Sequence, residues 1–135
     1  MPDKYSNRRF DVNDLKQIDR EILEAIPFEY SGRDTQVEYY TDEFTAVCPW
    51  TGLPDHGALT ISYVPDQLLV ELKSLKYYLL SYRNVGILQE HVVNAVLEDL
   101  VKVIAPKRME VSGDFALRGG LGTRASAIYD GEGKE

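Results

Sequence analysis

The sequence predicts an α+β domain, with two helices lying on one face of an antiparallel β-sheet in the order ββααββ. Three observations predict it. Alternating, β-rich runs come first, at Thr35 to Tyr40 and Leu59 to Val64. Two stretches of helical period follow, one from Ser74 to about Arg83 and a longer one between Gly86 and Pro106. A second pair of strand-like runs, Glu110 to Phe115 and Thr123 to Tyr129, closes the chain.

The elements follow in order. Val12, Leu15, Ile18, Ile22 and Ile26 recur at helical spacing, which predicts a short amphipathic helix that must stop by Pro27. The residues before it are polar, so 1–21 reads as an extension that is partly helical or disordered, 22–130 as the folded domain, and 131–135 as a flexible tail. Thr35 to Tyr40 and Leu59 to Val64 alternate with period two. Between them, 44–57 reads as irregular, punctuated by Pro49, Gly52, Pro54 and Gly57. Gln67 to Glu71 reads as a short extended piece after the Pro65-Asp66 turn. Ser74 is a predicted helix cap, with Leu75, Tyr78, Leu79 and Tyr82 as the apolar face. Val92, Val93, Val96, Leu97, Leu100, Val101 and Ile104 fit a 3.6-residue period. The last two strands join through Arg118-Gly119-Gly120. So few short strands leave open sheet edges, and pairing those edges with further copies is the expected solution.

Composition bounds the function. With 135 residues, 44% hydrophobic and 27% charged, the chain should form one folded domain. No apolar run spans a membrane and no signal-peptide pattern opens the sequence, so no membrane partner is expected. A single cysteine forms no internal disulfide and points to the cytoplasm. One cysteine and two histidines are too few for the usual Cys/His structural zinc site, so no metal is expected. A net charge of −7 argues against a broad nucleic-acid surface.

Three clusters could carry chemistry. Cys48 lies in Val47-Cys48-Pro49-Trp50-Thr51-Gly52-Leu53-Pro54-Asp55-His56-Gly57. A lone cysteine is by default a small buried hydrophobe. Here two prolines stiffen the loop, and Asp55 could fold back toward the sulfur as a proton donor if burial kept it protonated. By default Asp55 is a turn residue and His56 an ordinary, partly exposed strand residue. The run Glu71-Leu72-Lys73-Ser74-Leu75-Lys76-Tyr77-Tyr78, followed by Arg83, concentrates basic residues in an acidic chain. Lys73 and Lys76 sit by a helix N-terminus, which favours anions; the bland reading is a solvated cationic face. Gln89-Glu90-His91 opens the long helix, where Glu90 either serves the helix dipole or accepts two N–H donors from a guanine-like edge.

These residues resemble a known family. Phe44 to Asp55, Ile61 to Asp66, Glu71 to Arg83, and Gly113-Asp114-Phe115 with Arg118-Gly119-Gly120 are similar to 7-cyano-7-deazaguanine reductases, the NADPH-dependent nitrile reductases of queuosine biosynthesis. The likeness spans roughly residues 22–130, and its length suits the short, single-module branch. It implies the tunnel fold, an oligomeric β-barrel of joined sheets, as a decamer of two facing pentamers. It implies Cys48 as the nucleophile that forms a thioimide and Asp55 as the proton donor and acceptor. Val70, Glu71, Leu72, Gln89 and Glu90 are implied substrate contacts, and Lys73, Ser74, Lys76 and Arg118 NADPH contacts. Gln89 stands where the family usually has histidine, and His56 where an aromatic hydrocarbon is common. The rival readings are an archaeosine-synthase-like amidinotransferase acting on the same nitrile in tRNA, and a non-catalytic tunnel-fold binding protein. The acidic balance and the run from Glu71 to Lys76 favour the reductase.

Overall fold

A computed structural model describes residues 10–131. Six strands and two helices follow one another: β1 (Ala25–Pro27), β2 (Val37–Val47), β3 (Pro54–Val64), β4 (Leu68–Val70), α1 (Leu72–Leu80), α2 (Gln89–Ile104), β5 (Arg108–Arg118) and β6 (Leu121–Asp130). The main sheet is antiparallel in the order β2-β3-β5-β6, and β1 pairs with β4 in a separate two-stranded ribbon. The expected α+β fold is present. The polar ends at 1–9 and 132–135 lie outside the described residues.

The expected N-terminal helix is absent. Two 3₁₀ turns, Leu15–Gln17 and Arg20–Ile22, stand in its place, followed by β1. Tertiary partners take the backbone groups that a helix would need. The Asp19 N–H donates to Ser81 Oγ at 2.9 Å, and the Asn13 N–H donates to the Asn84 carbonyl at 2.7 Å. Ile18, expected on one face of a helix, enters the common core together with Leu23, and Ile22 packs against it.

The middle of the chain is more regular than its punctuation suggests. β2 runs on to Val47 and β3 starts at Pro54, so only 48–53 form the connection. Between Thr41 and Phe44, β2 carries one residue more than its partner. Buried positions therefore switch phase, from Val37, Tyr39 and Thr41 to Phe44 and Ala46. A strict period-two reading loses the strand at that point.

Helix α1 starts two residues before Ser74. Its cap is Glu71, whose carboxylate accepts from the Ser74 N–H at 2.7 Å and the Lys73 N–H at 3.1 Å. Ser74 is buried. It donates to the Glu71 carbonyl at 2.7 Å and accepts from the Glu24 N–H at 3.0 Å, fastening α1 to the strand below it. Leu75, Tyr78 and Tyr82 are buried as expected, and Leu79 is half-buried. The predicted long helix is α2. It ends at Ala105 in a left-handed conformation just before Pro106.

The core fills the space between the helices and the sheet, with Phe44, Tyr82 and Phe115 at its centre. It also holds a polar network that hydrophobic periodicity does not reveal. Asp99 on α2 is buried. Its two carboxylate oxygens accept from Arg20 Nε at 3.1 Å each, and Oδ2 accepts from the Tyr78 hydroxyl at 2.5 Å. The Tyr78 and Tyr82 hydroxyls lie 2.9 Å apart. Burial first, then Tyr82 and Asp99, push the Tyr78 phenol far above its ordinary range; burial and the Asp99 charge also raise Tyr82, against the Tyr78 hydrogen bond and the Arg20 charge, which lower it. The network ties the N-terminal turns, α1 and α2 together.

Candidate active site

Three connections meet at one end of the sheet. The loop 48–53 closes the β2–β3 hairpin, with the Cys48 N–H donating to the Leu53 carbonyl at 2.9 Å and the Gly52 N–H to the Cys48 carbonyl at 2.8 Å. Gly52 has φ +75°, and a Cβ there would lie 2.6 Å from the Phe10 carbonyl oxygen, so the loop needs glycine. Segment 85–87 runs beside Val47: the Val47 N–H donates to the Val85 carbonyl and the Ile87 N–H to the Val47 carbonyl, each at 3.1 Å. Gly86 packs closely against Pro49. The start of α2, with Gln89 and Glu90, is thereby held beside Cys48.

The third connection is the β5–β6 hairpin. Gly119 and Gly120 have φ +59° and +85°, the two positive values of a type I′ turn. Between Phe115 and Arg118, β5 carries an extra residue. That bulge leaves Leu117 exposed and carries the Arg118 guanidinium across to Asp55, which sits opposite Ala46 near the start of β3. Arg118 Nη1 donates to Asp55 Oδ1 in an ion pair. The carboxylate is buried and the arginine is half exposed. His56 is exposed, with Nδ1 3.5 Å from the Thr45 hydroxyl.

The Cys48 thiol is partly accessible. Burial raises its proton affinity. The Thr51 hydroxyl, the backbone N–H groups of Thr51 and Trp50, and the Arg118 charge outweigh that and hold the thiol below its ordinary value. A thiol biased toward thiolate, a buried carboxylate and a cation therefore share one end of the sheet. That set suits nucleophilic addition coupled to proton transfer.

The expected residues on β4 and α1 lie elsewhere. Val70 hangs from Tyr63: its N–H donates to the Tyr63 hydroxyl at 3.1 Å, and the Tyr39 hydroxyl donates to its carbonyl at 3.4 Å. Tyr63 is eight residues beyond Asp55 on the same strand, roughly 26 Å along β3. Within one chain, Val70, Glu71 and Leu72 do not share a pocket with Cys48.

Helix α1 explains its own motif. Glu71 caps, Ser74 latches, and Leu75 and Tyr78 fill the core, which leaves Leu72, Lys73, Lys76 and Tyr77 facing outward. The Lys73 and Ser74 N–H groups already bond to Glu71, so the helix end does not offer them to an outside anion. A cavity of about 280 Å³ lies between α1 and the β2–β3 face, with Phe44, Leu75 and Leu79 among its apolar lining and Lys76 and Arg83 contributing charge. This is where the two basic residues, two helical turns apart, come together. Arg20 and Asp99 escaped the sequence reading, because a charged residue inside an apolar helical stripe carries no periodic signal. The Arg118–Asp55 pair escaped because it depends on a bulge.

Comparison with known proteins adds a separate line of support. A family model described as QueF-like protein matches residues 54–134. A curated protein of Caldicellulosiruptor bescii, NADPH-dependent 7-cyano-7-deazaguanine reductase, is 63% identical over 130 residues, covering 96% of this chain and 99% of that one. A protein of the same name from Caldanaerobacter subterraneus subsp. tengcongensis is 60% identical over 132 residues, covering 98% of each. Among solved structures, the apo archaeosine synthase QueF-Like superposes with a TM-score of 0.66, over 73% of this chain and 96% of that one. At 22% identity, that likeness bears on the fold alone.

Proposed function

The chain belongs to the QueF-like family, alongside NADPH-dependent 7-cyano-7-deazaguanine reductases that it matches over nearly its whole length, and from that membership we propose its reaction and the roles of its residues. It reduces the nitrile of 7-cyano-7-deazaguanine to the aminomethyl group, with NADPH as reductant. The identity to the named reductases carries this reading, and the Cys48–Asp55–Arg118 end of the sheet supplies the chemistry.

A nitrile carbon is electrophilic but resists hydride. Cys48 adds to it as thiolate: a C–S bond forms, C≡N becomes C=N, and Asp55 passes the thiol's proton to the nitrogen. NADPH, when bound, supplies the hydride that a C=N bond accepts. Loss of sulfur after the first reduction leaves an imine, a second hydride to that C=N bond gives the amine, and Asp55, recharged by a solvent proton each time, protonates the nitrogen. Glu90 accepts N–H donors of the purine-like edge, and Gln89 orients the ring through hydrogen bonds without titrating.

The outward amines of Lys73 and Lys76 fit the anionic parts of NADPH, and the adjoining apolar cavity fits a flat ring. Ser74, with its hydroxyl committed to Glu24 and Glu71, fits less well.

The distance between Cys48 and Val70–Leu72 supports a site completed by a second copy, with Val70, Glu71 and Leu72 reaching the neighbour's Cys48. Among the described residues β2 and β6 are the outermost strands of the sheet, where strands of further copies would join it. Tyr40 on β2 and Leu121 and Ile128 on β6 are exposed. These features support a barrel of joined sheets, in the family's arrangement of two facing pentamers. A substrate that is a free base, a net charge of −7 and a single cysteine support a cytoplasmic enzyme that does not itself bind tRNA.

The test is NADPH absorbance with the free nitrile base. Decay of two NADPH per amine formed is expected. No decay, with amidine appearing on nitrile-bearing tRNA supplied with ammonia, would favour the amidinotransferase.

A further inference from the structure

We infer that Arg118 is a positioning residue of this reaction: it holds the Asp55 carboxylate at the end of the sheet that carries Cys48, and so sets the group that is to exchange protons with the thiol. The inference rests on the reductase reading above, but it reassigns Arg118 from the cofactor to the reacting pair.

Three observations converge on it. The guanidinium donates to the buried Asp55 carboxylate. The same cation adds the smallest of the influences that lower the Cys48 thiol, after the Thr51 hydroxyl and the Thr51 and Trp50 backbone groups. The backbone is built to deliver it, because without the extra residue on β5 the side chain on Asp55's side would be Leu117. A tight glycine turn then fixes the hairpin's end. Among the described residues, the titratable and charged groups on the segments that meet at the cysteine loop are Asp11 beside Phe10, Asp55 and His56 on β3, Glu90 at the start of α2 and Arg118 on β5. His56 is turned to Thr45, and of these groups Arg118 carries the electrostatic effect on the sulfur.

In the step this serves, the S–H bond breaks and Asp55 takes the proton. The C–S bond forms, and the proton moves from Asp55 to the nitrile nitrogen. Asp55 takes the proton and passes it on, and the guanidinium fixes where the carboxyl group sits while it does so.

The experiment measures iodoacetamide alkylation of Cys48, the sole cysteine, against pH. It also measures kcat and the KM for NADPH, in wild type, Arg118→Gln and Arg118→Lys. Alkylation needs neither substrate nor cofactor, so it reads the clamp even if the nitrile proves not to be the substrate. Adduct formation by wild type with the nitrile tests that reading separately. In Arg118→Gln the alkylation midpoint should move up in pH, and the neutral-pH rate should fall about threefold or more. Its kcat should fall about tenfold or more while the NADPH KM changes less than about threefold. Arg118→Lys, which keeps the charge and loses the fork, should restore most of the alkylation profile. An unshifted profile overturns the inference, as does a raised NADPH KM with unchanged kcat. Should Arg118→Gln fail to fold, Arg118→Lys decides by the kinetic split: lower kcat at unchanged KM supports the clamp, and the reverse overturns it.

Discussion

The Ile87 N–H donates to the Val47 carbonyl at 3.1 Å, and that bond sets the start of α2 against the cysteine loop. Residues some forty positions apart thereby form one end of the molecule, where Arg118 joins them from a third connection. The opposite end holds the Glu71 motif. On the proposed reading, one chain therefore carries two half-sites at opposite ends of β3.

Asp55→Asn is expected to bind the nitrile and fold normally while turnover falls by about a hundredfold or more, the usual range for loss of a positioned acid–base group. Steady-state NADPH oxidation measures it. Wild-type turnover would remove Asp55 from proton transfer.

Two defective chains should complement each other if neighbouring copies share sites. Cys48→Ala removes the nucleophile, and Leu72→Asp places a charge on the outward start of α1, at the other half-site. Each alone should be inactive. Co-assembled in equal amounts, they should regain at most about a quarter of wild-type activity, from interfaces that pair two intact halves. Activity that never returns on mixing would argue for a site within one chain.

Asp99→Ala should destabilise the fold by about 3 kcal/mol, because it leaves the Tyr78 hydroxyl and the Arg20 guanidinium without their shared acceptor. Urea unfolding followed by circular dichroism gives the value. A loss below about 1 kcal/mol would show that water replaces the carboxylate.

Glu71 makes a pH-dependent contribution. The Ser74 N–H first, then the Lys73 N–H, hold its carboxyl below the ordinary value of 4.5. The folded-state value is depressed, so the stabilisation is fully present above the unfolded value and lost as pH falls through the folded one. The gap in thermal midpoint between wild type and Glu71→Ala should be constant near neutrality and close below pH 4.5. A gap that persists in acid would show that Glu71 acts through packing instead.

Both major helices, β4 and the middles of the main-sheet strands were legible because their signals are local: alternation, a 3.6-residue period, proline and glycine; β1 read as the end of a helix, and the irregular stretch 44–57 took in the end of β2 and the start of β3. The N-terminal helix failed because its spacing was right but its backbone donors and acceptors were taken by residues far along the chain, Ser81, Asn84 and Gly86. β2 was cut short because the bulge after Thr41 reverses which residues face inward. The resemblance supplied the roles of Cys48 and Asp55. It could not show that Ser74 and Tyr78 serve the fold, or that Arg118 reaches Asp55, since both facts are tertiary.

Intact-mass measurement of the chain incubated with 7-cyano-7-deazaguanine in the absence of NADPH tests the covalent role of Cys48 most directly. We predict a gain equal to one whole nitrile molecule in wild type and no gain in a folded Cys48→Ala. An unmodified wild-type chain, or an adduct that survives the loss of Cys48, would contradict it.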